Sequence, residues 1–163
     1  MMELRVLLDR LKMEHLHTQL DGVCEQAAKG DLDYQSFLAR ALETEWRGRQ
    51  QRGSDIRLRM ARFPWLKTLE QFDFDSQPSL GHKVVRELAG LSFVERAENV
   101  VLLGPPGVGK THLAVALGIK AVDAGSSVLF LTLETLMGRL IRARQENRLE
   151  RMLQQLAAPA HSR

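Results

Sequence analysis

Eight residues of this 163-residue chain have types and spacing that could do chemistry: Gly104-Pro105-Pro106-Gly107-Val108-Gly109-Lys110-Thr111. They satisfy G-x-x-x-x-G-K-[ST], in which a glycine-rich turn aims several backbone N–H groups at one anion. A helix beginning near Lys110 would add the positive end of its dipole. In such a cradle Lys110 reaches the β- and γ-phosphates of a nucleotide and the Thr111 hydroxyl ligates Mg²⁺. ATP with Mg²⁺ is therefore the expected cofactor pair. The bland alternative is a chance glycine turn before a helix. An apolar run before the pattern and an amphipathic helix after it speak against that.

Other candidates carry less. His15 and His17 are two residues apart, so on a helix they point to different sides, and solvated surface is the plainer reading than a metal pair. His112 follows the cradle and is expected to pack or cap, not to act as a base. Glu134 follows an apolar run and imitates the acid that holds Mg²⁺ in P-loop enzymes, but it is a lone Glu without a preceding Asp, and simple solvation of a strand end is the alternative. Arg47 to Arg62 holds six arginines against one acid, Asp55. That run could meet DNA phosphates or form a solvated helix face. No catalytic residue is assigned.

The elements that must position these residues are legible from periodicity. Leu4, Leu7, Leu8 and Leu11 share a helical face. Gly30-Asp31 breaks the pattern. Asp33 is placed to cap a second helix whose apolar stripe is Phe37, Leu38, Ala41, Leu42 and Trp46. Gly48 and Gly53 argue against one straight helix through the arginine run. Phe63 to Leu80 concentrates aromatics, prolines and acids, as a linker packed on a neighbouring domain would. A helix is expected from about Lys83 to Ala89, and Ser92 to Glu95 fits a capping box. Asn99 to Gly104 and Ser127 to Glu134 read as buried strands. Between them a helix has Leu113, Ala116, Leu117, Lys120 and Ala121 on one face and Gly125 as its stop. Thr135 to about Ala157 reads as one last, charged helix.

The expected fold class is α/β. The expected domains are an N-terminal helical domain (1–62), a connecting segment packed on the core (63–82) and the front part of a P-loop core (83–163). The composition, 44% hydrophobic and 26% charged, is that of a soluble globular protein. A formal charge of +3 permits an anionic partner without demonstrating one. The single cysteine, Cys24, allows no internal disulfide and fits a reducing compartment. No apolar run approaches the roughly 20 residues of a membrane helix, and the opening residues lack the apolar core of a signal peptide. A cytoplasmic protein without a membrane partner is expected.

Three stretches together resemble a known family. Leu102 to Gly118, "LLGPPGVGKTHLAVALG", looks like the Walker A segment of the IstB-like helper ATPases of insertion sequences, relatives of the DnaC helicase loader in the AAA+ class. Ala61 to Phe74, "ARFPWLKTLEQFDF", is similar to the segment joining their helical domain to the ATPase core, and Phe37 to Arg52 to the end of that helical domain. The resemblance implies ATP binding at Gly104–Thr111, DNA and a transposase as partners, a homo-oligomer with nucleotide between subunits, and an incomplete AAA+ core of parallel sheet flanked by helices. It also implies that hydrolysis needs a strand ending in Asp-Glu, a sensor residue and a neighbour's arginine. No apolar run ending in Asp-Glu follows Lys110, so the chain reads as a truncated member, and hydrolysis is not expected of it alone. The rival readings are a non-enzymatic helical module that binds DNA or protein through residues 1–62, and a small-molecule P-loop kinase. The kinase is disfavoured because kinases place the cradle near the N-terminus and need lid arginines downstream.

Overall fold

The computed structural model describes residues 3–74 and 81–157. The chain divides into two compact units, Met1–Asp55 and Ile56–Arg163.

The first unit is built from α1 (Leu4–Arg10), α2 (Glu14–Lys29) and the greater part of α3 (Tyr34–Ala61). Its core is Leu8, Leu16, Leu20, Val23 and Ala41, with Met13 and Phe37 against them. Of Leu4, Leu7, Leu8 and Leu11, expected to share one helical face, only Leu8 is buried, while Leu4, Leu7 and Leu11 are exposed. The stripe expected on α3 divides in the same way. Phe37 and Ala41 join the core, and Leu38, Leu42 and Trp46 face outward. Asp33 caps α3 as expected, its carboxylate accepting the Ser36 N–H at 2.8 Å. That bond, with a second from the Ser36 hydroxyl, holds the Asp33 carboxyl below its ordinary value.

The glycines do not break α3. An ideal Cβ on Gly48 would lie 2.2 Å from the His15 ring, so the absent side chain makes room for α2 to pack there. His15 is thus a packing residue, and His17 faces Asp9 with 3.8 Å between Nε2 and Oδ1. Glu45 is 4% exposed and holds α2 and α3 together. It accepts from the Leu16 N–H at 2.9 Å and from Arg49 Nε at 2.7 Å. Burial pushes the Glu45 carboxyl up, but the Leu16 and Arg49 hydrogen bonds and the Arg49 charge outweigh it and hold the group below its ordinary value.

The second unit is organised around α6 (Lys110–Asp123). Seven of its residues are buried: Leu113, Val115, Ala116, Leu117, Ile119, Ala121 and Val122. Each of its buried Leu, Val and Ile side chains is worth about 1.5–3 kcal/mol over exposure. The helix ends as expected at Gly125. The Gly125 N–H donates to Val122 O and the Ser126 N–H to Ala121 O, each at 2.9 Å, which is a Schellman closure. Leu113, Ala116 and Leu117 form one core with Val85 of α4 (His82–Ala89) and with Leu69 and Phe72. Phe63 lies where a Cβ on Gly118 would be, 2.7 Å away.

The expected α/β class is corrected here. Among the described residues there is no strand and no sheet; all regular structure is helical. Strands are expected at Asn99 to Gly104 and Ser127 to Glu134, but 99–104 and 127–132 are irregular and Leu133 and Glu134 are helical. A strand exists only by exchanging hydrogen bonds with a neighbour, and these two segments do not pair. Phe130 N–H donates instead to Ala61 O at 2.8 Å, at the end of α3. Val101 and Leu103, expected to be buried, are 74% and 88% exposed.

Three smaller expectations also change. Ser92 does not cap α5 (Ser92–Glu95) but begins it, with Leu91 before it at φ 60°. The region from Glu134 onward is helical earlier than expected, because Thr132 caps α7 (Leu133–Gln145) by accepting the Thr135 N–H at 3.1 Å. The single charged helix is in fact two, α7 and α8 (Leu149–Ala157). Asn147, at φ 53°, turns the chain between them, as Asn tolerates better than most residues.

Candidate phosphate-binding site

The cradle is a loop leading into the N-terminus of α6. Its glycines at 104, 107 and 109 have φ of 156°, 84° and 82°. At Gly107 nothing would meet a Cβ, so only the backbone angle requires glycine there. Gly109 requires glycine twice. It caps α6 in the left-handed region, and its Cβ would sit 2.8 Å from Cε2 of Phe72. The first helical bond runs from Leu113 N–H to Gly109 O at 2.9 Å. The N–H groups of Lys110, Thr111 and His112 therefore have no acceptor within the helix.

Lys110 Nζ folds over the loop and donates to Gly104 O at 2.8 Å and Pro105 O at 2.6 Å. Both partners are neutral, so the ammonium charge is undiminished. Pro105, Pro106 and Thr111 are exposed, and Val108 is half-buried. The Thr111 hydroxyl is thus open to solvent on the first helical turn. A cleft of about 520 Å³ reaches Gly109 and Lys110 from Val84 and Leu88 of α4. All eight sequence-singled residues lie together in this one loop and helix turn.

The remaining candidates separate from it. His112 is a packing residue. Its Nε2 bonds Thr68 O at 2.9 Å, and its ring meets Trp65 and Phe72 edge-on at 5.8 and 5.2 Å. Glu134 lies in the first turn of α7, not at a strand end. Among the described residues no cluster of three His, Cys, Asp or Glu side chains could hold a metal, and no helix is long and apolar enough to cross a membrane.

In the α3 run, Arg47 pairs with Glu43, Arg49 with Glu45 and Arg52 with Glu14, each within 2.7 Å. Half of the six arginines are thereby spent on carboxylates that lie outside the run. A second basic feature was not singled out from the sequence. A groove of about 420 Å³ between α7 and α8 is lined by Arg139, Arg142, Arg148 and Arg151, and one acid, Glu146, pairs with Arg148. Its signal was present in the two i, i+3 arginine pairs either side of Asn147.

The sequence pattern of the loop, with its lysine and the helix after it, is that of a phosphate-binding P-loop. It belongs to the family described as IstB-like ATP binding protein, whose sequence profile matches residues 6–161. It is 66% identical over 157 residues to an insertion sequence IS21 protein of Pseudomonas aeruginosa named for ATP binding, covering 96% of this chain and 59% of that one. A counterpart from insertion sequence IS5376 of Geobacillus stearothermophilus is 38% identical over 150 residues, covering 92% and 60%. A third, from Mycobacterium tuberculosis, is 39% identical over 127 residues, covering 78% and 51%. The chain thus spans about three fifths, or less, of the length of these relatives.

Proposed function

We propose that Gly104–Thr111 binds ATP with Mg²⁺ and that the chain serves an ATP-dependent helper of DNA transposition. The observation that carries the reading is the state of Lys110. It is an ammonium held over a glycine loop by two neutral carbonyls, beside a helix N-terminus whose first N–H groups have no acceptor within the helix. A triphosphate offers that ammonium charged acceptors in place of neutral ones, and charge-assisted bonds are roughly twice as strong. When bound, Mg²⁺ would neutralise phosphate charge, and Thr111 is the residue here to ligate it. The nearby cleft of about 520 Å³ lies within the usual range for ligand sites. The relatives' names, ATP-binding proteins of insertion sequences, support the same reading. Functionally, residues 1–62 are the helical part, 63–82 the connection and 83–163 the nucleotide-binding part.

DNA, a transposase and further copies of the chain are the proposed partners, in the cytoplasm. The arginine groove between α7 and α8 is a better candidate for phosphate contact than the α3 run, because only one of its lining arginines is paired with a lining acid. A second reading, an interaction module in the first unit, draws on Tyr34, Leu38, Leu42 and Trp46, large residues left exposed on α3.

Binding of labelled ATP to the wild type and to Lys110→Ala tests the first reading. Hydrogen bonds to charged groups are worth about 1.5–3 kcal/mol, so a loss of about ten- to a hundredfold in affinity is expected. Equal binding by both proteins would remove the cradle assignment.

A further inference from the structure

The segment Trp65–Phe72 precedes the cradle by some thirty residues in sequence yet lies directly against it. Phe72 is buried between Leu69, Leu113 and Ala116, and its ring occupies the space of a Cβ on Gly109. Gly109 is the pivot where the loop turns into α6, so the ring fixes that pivot from one side. His112, in the first turn of α6, bonds the Thr68 carbonyl of the same segment. A carbonyl can only accept, so the His112 ring carries its hydrogen on Nε2. Thr68 is itself fixed. Its N–H donates to Gln71 Oε1 at 3.0 Å, one half of a capping box around the turn Leu69–Gln71. Trp65 closes the cluster, its ring perpendicular to His112 on one side and 5.5 Å from Lys67 Nζ on another.

The two halves of the cradle therefore differ. Gly109 and the first turn of α6 are clamped, whereas Gly104–Gly107 are exposed and Gly107 has nothing near it. A phosphate site needs its donors held to within about 0.5 Å. The N–H groups of the clamped turn are among those donors, beside those of the glycine loop.

We propose that Trp65–Phe72 is a brace for the cradle, in which Phe72 and His112 are positioning residues for nucleotide binding and Trp65 reports occupancy. The proposal rests on the nucleotide-binding reading of Gly104–Thr111. Its mechanism is mechanical. When Lys110 leaves the Gly104 and Pro105 carbonyls for a phosphate, the open half of the cradle adjusts while Phe72 and Thr68 keep the first turn of α6 in place. The change of charge beside that turn is felt at the indole of Trp65, whose ring packs on His112. Affinity for nucleotide thereby depends on side chains that touch no phosphate.

The test uses the full chain in a Trp46→Phe background, so that Trp65 is the sole indole. Labelled-ATP binding is measured by an independent method, with Mg²⁺ present, and Trp65 emission is followed in parallel. His112→Ala should weaken ATP binding roughly tenfold, the upper range for one lost hydrogen bond. His112→Gln, which can still donate to Thr68 O, should recover most of that loss, and Phe72→Leu should weaken binding without altering helix content. Trp65 emission should change on saturation with ATP, and Lys110→Ala should abolish the change. A merely structural role would lower the melting temperature but leave affinity in the folded range, and the Trp65 response, unaltered. Equal binding by wild type, His112→Ala and Phe72→Leu would overturn the brace while leaving the cradle standing. So would a Trp65 signal that stays constant at saturating nucleotide. A folded wild type that binds no ATP would overturn the cradle reading, and the brace with it. If His112→Ala fails to fold, His112→Gln and the Trp65 response decide the matter.

Discussion

Lys110 and Arg49 are each held by two oxygens at nearly the same distances. Lys110 Nζ has Gly104 O and Pro105 O at 2.8 and 2.6 Å. Arg49 has Glu45 Oε1 at 2.7 Å and Lys12 O at 2.8 Å. The difference is one formal charge. Two peptide carbonyls stabilise the ammonium without cancelling it, whereas a buried carboxylate cancels the guanidinium and leaves nothing for an incoming anion. A count of cations along a sequence does not distinguish the two cases, because the cancelling acids Glu43, Glu45 and Glu14 all precede the arginine run. The comparison implies that the cradle is vulnerable to shape and the α3 site to charge.

The largest effect should follow from spoiling the shape of the cradle. Gly109→Ala forces a left-handed backbone on a residue with a Cβ, at about 1–2 kcal/mol, and drives that Cβ into Phe72. Gly107→Ala incurs only the backbone cost, since its surroundings are open. Thermal unfolding and labelled-ATP binding of the two variants should therefore separate clearly, with Gly109→Ala the worse in both. Equal losses would mean that the Phe72 contact is immaterial.

Next comes the charge side of the comparison. Glu45→Gln leaves α2 and α3 joined by a weaker bond from the Leu16 N–H to a neutral amide oxygen, and a loss of about 1–3 kcal/mol in the stability of the first unit is expected. The sign with pH follows from the lowered Glu45 value. A group whose folded value is depressed stabilises fully above its unfolded value, ordinarily 4.5, and that stability drains away as pH falls through the folded value. Urea unfolding followed by Trp46 emission in a Trp65→Phe chain should show the acid-side decline in the wild type and a flatter one in Glu45→Gln. Parallel pH profiles would show that Glu45 is not the ionised tie described here.

The cradle was legible in the sequence because it is local. Eight consecutive residues and the helix after them contain the whole motif, and glycine, lysine and threonine there have few other uses in that order. What escaped the reading depends on residues far apart. Gly48 reads as a helix breaker in the sequence, yet α3 runs through it with the His15 ring filling its empty side. Asn99–Leu103 and Ser127–Leu131 have strand-like composition, but composition does not supply a pairing neighbour, and both segments are irregular. The brace escaped for the same reason, since nothing in the spacing of Thr68, Phe72, Gly109 and His112 announces that they touch. The leucines of α1 and α3 show the limit of periodicity, which finds a face but not whether anything covers it.

A smaller effect tests the two basic regions against each other. If DNA is bound through the α7–α8 groove, Arg142→Ala and Arg151→Ala should each lower the slope of log affinity against log salt by about one. Short duplex DNA and a salt titration by fluorescence anisotropy give the reading. Slopes that fall instead on removing Arg47 and Arg52 would reverse the comparison and return the interface to α3.

The smallest effect is expected from Arg52→Ala. Arg52 Nη1 meets Glu14 Oε2 at 2.6 Å, a short distance that invites a strong assignment. Both side chains are nevertheless more than half exposed, at 62% and 67%, so water competes for each charge and the pair must also order two long side chains. Exposed pairs of this kind contribute about 0–1 kcal/mol. Arg52→Ala should thus shift the unfolding midpoint little. It should shift it less than Glu45→Gln does, although both ties join α2 to α3. Added salt should shrink the difference between Arg52→Ala and wild type further, since screening acts on exposed charges first. The buried Glu45 tie should keep most of its effect at the same ionic strength. If the two variants instead lost stability equally, and salt weakened both alike, burial would not be what separates the α3 carboxylates from one another. Charge cancellation along α3 would then be a property of the whole helix surface and not of the Glu45 site.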